Sequence, residues 1–284
     1  MTSDIPVKAL LELVRGKQIA VAATPATWCP RFGYLADALY ASTEIRAFVA
    51  MEHGLRGELQ DGIAFDSYTD SKTGLPVVSL YGGNAVLPET VDAVVFHAQD
   101  ISHRAYTYKA ALVKILRAAA RQGIQVLVVD RPSPLSHLGT QGPCTTQFFP
   151  VPLPVLYPYT LGELARLVTS ETNLDVSLTV LPVQGWQRSC PWVATGLPWI
   201  PPSPNIPTVH AAYCYASTGI LQATTVSEGR GTCKPFEYFG APFIDGDELV
   251  QCLNTYELPG VLWREVHFRP AFNKYSGKNC HGAH

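Results

Sequence analysis

Val91-Asp92-Ala93-Val94-Val95-Phe96-His97-Ala98 is an almost unbroken apolar run, and Ile124-Gln125-Val126-Leu127-Val128-Val129 is another, ending at Asp130-Arg131-Pro132. Between them, residues 106–122 repeat apolar side chains at helical spacing and stop at Gly123, the residue type that most often closes a helix. Strand, helix and strand in succession make a parallel crossover unit. Continuous apolar strands are buried on both faces, so helices are expected on both sides of the sheet. The same alternation runs upstream. Residues 10–14 read as part of an amphipathic helix, 18–23 as a strand ending in the turn-forming Thr24-Pro25, 32–40 as a helix, and 45–50 as a buried strand ending at Met51-Glu52-His53-Gly54. Downstream, 161–168 reads as a helix capped by Thr160, with Glu163 completing a capping box. Strands are expected at 176–183 and 261–268, and a helix at 247–253. After Pro132 prolines and aromatics crowd 150–158 and 191–207, which places a boundary near Pro154. The fold class is α/β: a Rossmann-like parallel-sheet domain over residues 1–154 and a smaller α/β domain over 155–284.

Composition removes several functional classes. Charged residues are 15% of the 284, and the formal net charge is −2, so no basic field is available to attract nucleic acid or anionic lipid. No run approaches the roughly 20 apolar residues of a membrane span, and membrane insertion is not expected. The start, Met1-Thr2-Ser3-Asp4-Ile5-Pro6, lacks the basic and apolar segments of a secretory leader, so the chain reads as cytoplasmic as it stands. The 7 cysteines are scattered singly, which suits a reducing compartment and supplies no zinc motif. A nucleophilic Cys29 or Cys144 ranks below idle or buried thiols. No metal or cofactor is expected, and the sequence does not set an oligomeric state.

In an open parallel sheet, ligands bind beyond the carboxyl ends of the strands. Three polar clusters stand there: Glu52-His53-Gly54-Leu55-Arg56-Gly57; Gln99-Asp100 running on to Arg104 and Tyr106-Thr107-Tyr108; and Asp130-Arg131. Each mixes a carboxylate with arginine, the chemistry for holding an anionic ligand while a proton moves. Glu52, between a buried strand and two glycines, is the strongest acid/base candidate. Asp130-Arg131 fits a structural ion pair equally well, Asp100 fits a cap, and His53 and His97 fit scaffold roles. In the second half, Trp199 suits stacking on a sugar face, Asn205 hydrogen bonding to sugar substituents, and Glu228-Gly229-Arg230-Gly231-Thr232 an anionic group. A turn-building role fits Asn205 as well.

These motifs, joined by Thr73-Gly74-Leu75-Pro76-Val77, Ser79-Leu80-Tyr81-Gly82, Gly162-Glu163-Leu164-Ala165 and Pro202-Ser203-Pro204-Asn205, follow one order across residues 20–282. That order resembles the peptidoglycan exo-β-N-acetylmuramidases of the NamZ type. The resemblance implies a Rossmann-like domain beside a smaller one, with the site in the cleft between them. The implied reaction is release of terminal N-acetylmuramic acid from the non-reducing end of peptidoglycan fragments, in cell-wall turnover and muropeptide recycling. The family's catalytic glutamate falls on Glu52. Asp100, Glu228 and Asp130 stay open as its partner, and Arg56, Arg104, Arg131 and Arg230 as forks for the lactyl carboxylate. Relatives are often exported.

The chain also departs from the pattern. Ala23-Thr24-Pro25-Ala26-Thr27 replaces an Asn-His-Thr-Gly stretch, His97 an aspartate, Leu156-Tyr157-Pro158 an Arg-His-Gly, and Gln222-Ala223-Thr224-Thr225 a Glu-Gly-Thr-Asn. The family continues beyond Lys278–Gly282, so the chain reads as a truncated or short form. These differences motivate a second expectation, a catalytically weakened amino-sugar or muropeptide-binding protein on the same fold. A nucleotide-dependent enzyme ranks lowest, because no glycine fingerprint follows the first strand.

Overall fold

A computed structural model describes residues 6–81, 87–88 and 90–284. The start of the chain, Met1 to Ile5, and Gly82 of the Ser79–Gly82 motif lie outside the described residues. The first compact unit ends at Pro204 and the second runs from Asn205 to His284.

In the first unit, β1 (Gln18–Ala23) is buried on both faces, the condition its run of Ile, Ala and Val anticipates. It pairs in parallel with β2 (Glu44–Ala50) on one side and with β5 (Ala93–His97) on the other. The sheet grows outward through β4 (Pro76–Ser79) and β3 (Tyr68–Thr69) beyond β2, and through β6 (Gln125–Val129) and β7 (Leu178–Leu181) beyond β5. Only β3 is antiparallel among the pairings of this sheet. In chain order the remaining parallel strands lie 3-2-1-4-5-6, the doubly wound Rossmann order, with the reversal between β1 and β5.

One face of the sheet is covered by α1 (Val7–Val14) and α2 (Leu35–Tyr40), whose Leu10, Val14, Leu35 and Leu39 share a core with Ile19, Val21, Phe48, Val95 and Leu127. On the other, α3 (Tyr108–Gln122) and α4 (Leu161–Glu171) pack on each other and on β6. The buried positions Tyr108, Leu112, Ile115, Leu116 and Ala119 follow the apolar spacing of a single helix face. Gly123 ends α3 in the left-handed conformation, as the sequence indicates. At the start of α4 the Thr160 hydroxyl accepts from the Glu163 N–H at 3.2 Å and the Glu163 carboxylate from the Thr160 N–H at 2.9 Å, which is the expected capping box.

The units divide at Pro204, well past the expected boundary near Pro154, because β7 completes the sheet and cannot be separated from β6. The second unit holds α5 (Val209–Thr218), α6 (Gly246–Asn254) and an antiparallel sheet of β8 (Phe239–Ala241), β9 (Glu265–Phe268) and β10 (Cys280–Ala283). Its sheet order is β8-β10-β9, over a small core of Val266, Phe268 and Cys280. No helix among the described residues is long and apolar enough to cross a membrane.

The helix α4 leaves no room at Gly162, where a β-carbon would lie 2.5 Å from Val180 Cγ1 and 2.7 Å from Asp130 Oδ2. Gly162→Ala should therefore lower stability by about 1–3 kcal/mol through overpacking, despite alanine's better helix propensity. A urea-unfolding midpoint at or above that of the unsubstituted chain would show that β7 yields there.

Candidate active site

Parallel strands release their chains at one edge, and the exit loops of β2, β4, β5 and β6 meet there through hydrogen bonds. Glu52 follows Met51 directly beyond β2 and is half-buried. Its Oε1 accepts from the Tyr81 hydroxyl at 3.1 Å and from the Gly62 N–H at 3.1 Å, and its Oε2 accepts from the Thr107 hydroxyl. Tyr81 stands just past β4, and Thr107 is the N-cap of α3, so one side chain gathers three segments. Burial and the neighbouring Glu52 charge push the Tyr81 phenol up to about 12.

The turn after Glu52 is built by backbone conformations that few residues adopt. His53, Gly54 and Gly57 have φ of 75°, 80° and 78°. His53 is buried and its Nδ1 lies 3.0 Å from the Leu59 carbonyl, which gives it a scaffold role in the loop. Arg56 points into an ion-pair network. Its Nε and Nη2 donate to the two Asp70 oxygens at 3.1 and 2.8 Å, and its Nη1 to Asp37 at 2.8 Å. Lys72 completes the network on Asp37 at 2.6 Å. A pocket of about 350 Å³ opens beside it, lined by Thr24, Pro25, Thr27, Tyr34, Asp37 and Arg56 among others, and does not include Glu52. Its charged groups already neutralise one another, so the hydrogen-bonded cluster at Glu52 is the stronger centre for chemistry.

The β5 and β6 exits are joined by Gln99, whose amide donates to the Pro132 carbonyl at 2.9 Å and whose Oε1 accepts from Arg131 Nε at 2.6 Å. Ser102 and Ser133 also bond through their hydroxyls. Arg131 is buried, and its Nη1 and Nη2 have no hydrogen-bond partner among the described residues. Burial pushes its guanidinium down to about 10. Burial, reinforced by Arg131, holds the His97 imidazole well below its usual range, and neither of its nitrogens has a hydrogen-bond partner among the described residues.

Asp100 does not cap α3. Its Oδ2 accepts from the Ser102 N–H at 2.9 Å and the Tyr157 hydroxyl at 2.6 Å, holding a turn, while its buried Oδ1 has no hydrogen-bond partner among the described residues. Burial drives its carboxyl above the usual range against the pull of the Lys109 ammonium. Lys109 is wholly buried, donates to the carbonyls of His103, Arg104 and Tyr106, and is pushed by burial down to about 8. Glu52 and Asp100 both raise the Tyr108 phenol, after burial, so their fields meet at the start of α3. Asp130 accepts from Thr160, Gly162 and Arg131, and burial pushes it up to about 6. It anchors α4.

The remaining expected residues are held as follows. Arg104 donates to the carbonyls of Pro143 and Leu153 at 2.5 and 2.9 Å. Tyr106 packs edge-on to Tyr108, with ring centroids 5.2 Å apart, and Trp199 edge-on to Trp192 at 5.2 Å. In the second unit Asn205 is buried, and Glu228 is buried under Arg230 at 2.5 Å, Lys274 at 3.0 Å and Asn273 at 3.3 Å. Burial pushes the Glu228 carboxyl up, but Arg230 and Lys274 outweigh it and hold it below its usual range. Tyr81 and Thr107 stood inside motifs read from the sequence but were assigned no site role there. Both stand where an element meets a loop at the sheet edge, which is the signal that would have found them.

The N-terminal domain of the family described as exo-β-N-acetylmuramidase NamZ matches residues 19–210, and its C-terminal domain residues 213–284. The chain is 40% identical over 280 residues to the peptidoglycan β-N-acetylmuramidase NamZ of Bacillus subtilis strain 168, covering 95% of this chain and 68% of that one. It is also similar to crystal structures of two DUF1343 family proteins of Bacteroides fragilis NCTC 9343, at TM-scores of 0.86 and 0.77 and identities of 32% and 28%. Each alignment covers 98% of this chain and 74% of the other.

The Arg56 network makes its own prediction. Arg56→Lys loses the two-pronged contact with Asp70 and should lower stability by about 1–3 kcal/mol in urea unfolding. Calorimetric preference for a carboxylated over a neutral amino sugar should not change. A shifted preference with intact stability would return Arg56 to ligand recognition.

Proposed function

The chain belongs to the exo-β-N-acetylmuramidase NamZ family, and from its strand-exit geometry we propose that Glu52 is the proton donor of the reaction. It is a glycosidase acting on peptidoglycan fragments, releasing N-acetylmuramic acid. The observation that carries the role of Glu52 is its set of partners. Two of the three are hydroxyls, Tyr81 and Thr107, which can donate to a carboxylate or accept from a carboxylic acid. Such partners hold the side chain in place through both protonation states, as an acid that gives up and regains a proton requires. Asp100 is the second carboxyl in this reading. Asp130 is committed to α4 and Glu228 to Arg230 and Lys274, whereas Asp100 keeps an oxygen without a hydrogen-bond partner among the described residues.

Arg131 is the fork for the lactyl carboxylate. Of the arginines considered, Arg56 is saturated by Asp70 and Asp37, Arg104 donates to loop carbonyls, and Arg230 sits on Glu228. Arg131 is held at Nε by Gln99, with both terminal nitrogens unmet beside the β1–β5 reversal of the sheet. Leaving a buried guanidinium unmet costs several kcal/mol, and a carboxylate with two parallel oxygens offsets that cost best.

Glu52→Gln should lower turnover of a natural disaccharide on the order of a hundredfold to ten-thousandfold, and of a nitrophenyl muramide much less, since a good leaving group needs less protonation. Equal losses on both would assign Glu52 to positioning. Near-wild-type rates on both would remove it from the site.

Arg131→Lys should weaken calorimetric binding of N-acetylmuramic acid by roughly tenfold or more, while N-acetylglucosamine binding holds. Parallel loss of both sugars, or of the thermal transition, would make Arg131 a support of the sheet edge.

A further inference from the structure

The antiparallel pairing of β9 and β10 brings together three side chains that the site above does not use. Glu265 and His267 are two apart on β9, so they project from the same face, and His281 of β10 lies directly opposite His267. Arg264 and His284 exchange both main-chain hydrogen bonds, at 3.0 and 2.9 Å. Counting inward from that pair, the alternation of an antiparallel ladder makes His267 and His281 a non-hydrogen-bonded pair, the kind whose side chains approach most closely. Their ring centroids are 4.5 Å apart, and His267 Nε2 is 2.7 Å from Glu265 Oε1. One ligand atom from each of the three residues lies within 4.8 Å of the others.

We propose that Glu265, His267 and His281 bind a divalent transition-metal ion, zinc foremost. Two imidazoles and one carboxylate are a zinc donor set, with a fourth position left to water. His267 keeps 64% of its side-chain surface exposed, so an ion and its water can enter from solvent. The donors are close to what the ion needs: tetrahedral ligands at about 2.0–2.1 Å from zinc are about 3.3 Å from one another, so the Glu265–His267 pair at 2.7 Å must open slightly while any wider spacing, up to 4.8 Å, closes, and side-chain torsions can supply both. The carboxylate is already placed. Gly246, at the first turn of α6, leaves the space in which Glu265 lies, and a β-carbon there would stand 2.7 Å from Glu265 Oε1. Calcium and magnesium, which prefer all-oxygen shells, do not suit two imidazoles. A bound ion would tie β9 to β10, and β10 follows the segment whose Lys274 and Asn273 hold Glu228. In sequence the two histidines are separated by 13 intervening residues with no motif, and only the strand register joins them.

The test is zinc titration of the full chain after chelator dialysis, by competition with a chromophoric chelator. One equivalent is expected to bind, raising the thermal midpoint, with magnesium and calcium inert. His267→Gln, at an exposed position, should keep the fold and weaken zinc binding at least about tenfold, and His281→Asn likewise. Cobalt substitution should give a spectrum without thiolate charge transfer, which separates this site from the exposed Cys233 and Cys252. Failure to bind micromolar zinc, a thiolate spectrum, or unchanged binding in both variants would overturn the proposal.

Discussion

Glu52 ties the exit of β2 to Tyr81, two residues past β4, and to Thr107 at the N-cap of α3, and that junction is one of several hydrogen-bonded seams along the polar edge of the sheet. The constraint behind it is topological. Strands running the same way must release their chains on one side, so each exit loop finds its hydrogen-bonding partners in the next exit loop instead of in water. Gln99 bridging to Pro132 and Arg131, and Ser102 meeting Ser133, are further cases of the same rule, while Asp130 closes its own β6–α4 connection by reaching Thr160 and Gly162. A carboxylate placed in such a seam, as the proposed acid Glu52 is, inherits its rigidity.

The seam is also expensive. Asp100, Lys109, Asp130 and Arg131 are all buried, and apolar residues of similar volume would commonly be as stable or more so. Lys109 shows how the cost is contained: its ammonium is solvated by three carbonyls of the loop between β5 and α3 and faces the field of Asp100. Asp130 uses the same device with three donors. Arg131 and His97 do not, and this difference marks their neighbourhood as shaped for something other than stability.

Much of this arrangement was legible in the sequence, for definite reasons. Double-sided burial makes β1, β2, β5 and β6 read as apolar runs, and the Thr160–Glu163 box and Gly123 are local chemistry that needs no partner from afar. What was missed depends on distance or on weak pattern. Arg56 looked available because Asp37 and Asp70 are 19 and 14 residues away. α5, Val-His-Ala-Ala-Tyr-Cys-Tyr-Ala-Ser-Thr, has no clean apolar stripe, and β10, Cys-His-Gly-Ala, has no strand signature of its own. Prolines near 150–158 suggested a domain end, but that segment returns to the sheet through α4 and β7.

The strand order is that of dinucleotide-binding proteins, yet the turn that follows the first strand is not theirs. In those proteins the chain turns from the first strand straight into a helix through glycines, so that the helix N-terminus faces a pyrophosphate. Here β1 leads into a short 3-10 turn at Pro25–Thr27, and α2 does not begin until Leu35. A proline ring occupies the turn, packed against Gly57, where a β-carbon would come within 3.1 Å of Pro25 Cγ. With no helix beginning directly after β1, charge recognition in the proposed reading falls to a side chain, Arg131, whose planar fork would stand in place of a cradle of amides. That exchange suits a single carboxylate on a sugar better than a diphosphate, and it shows why strand order alone does not name the ligand.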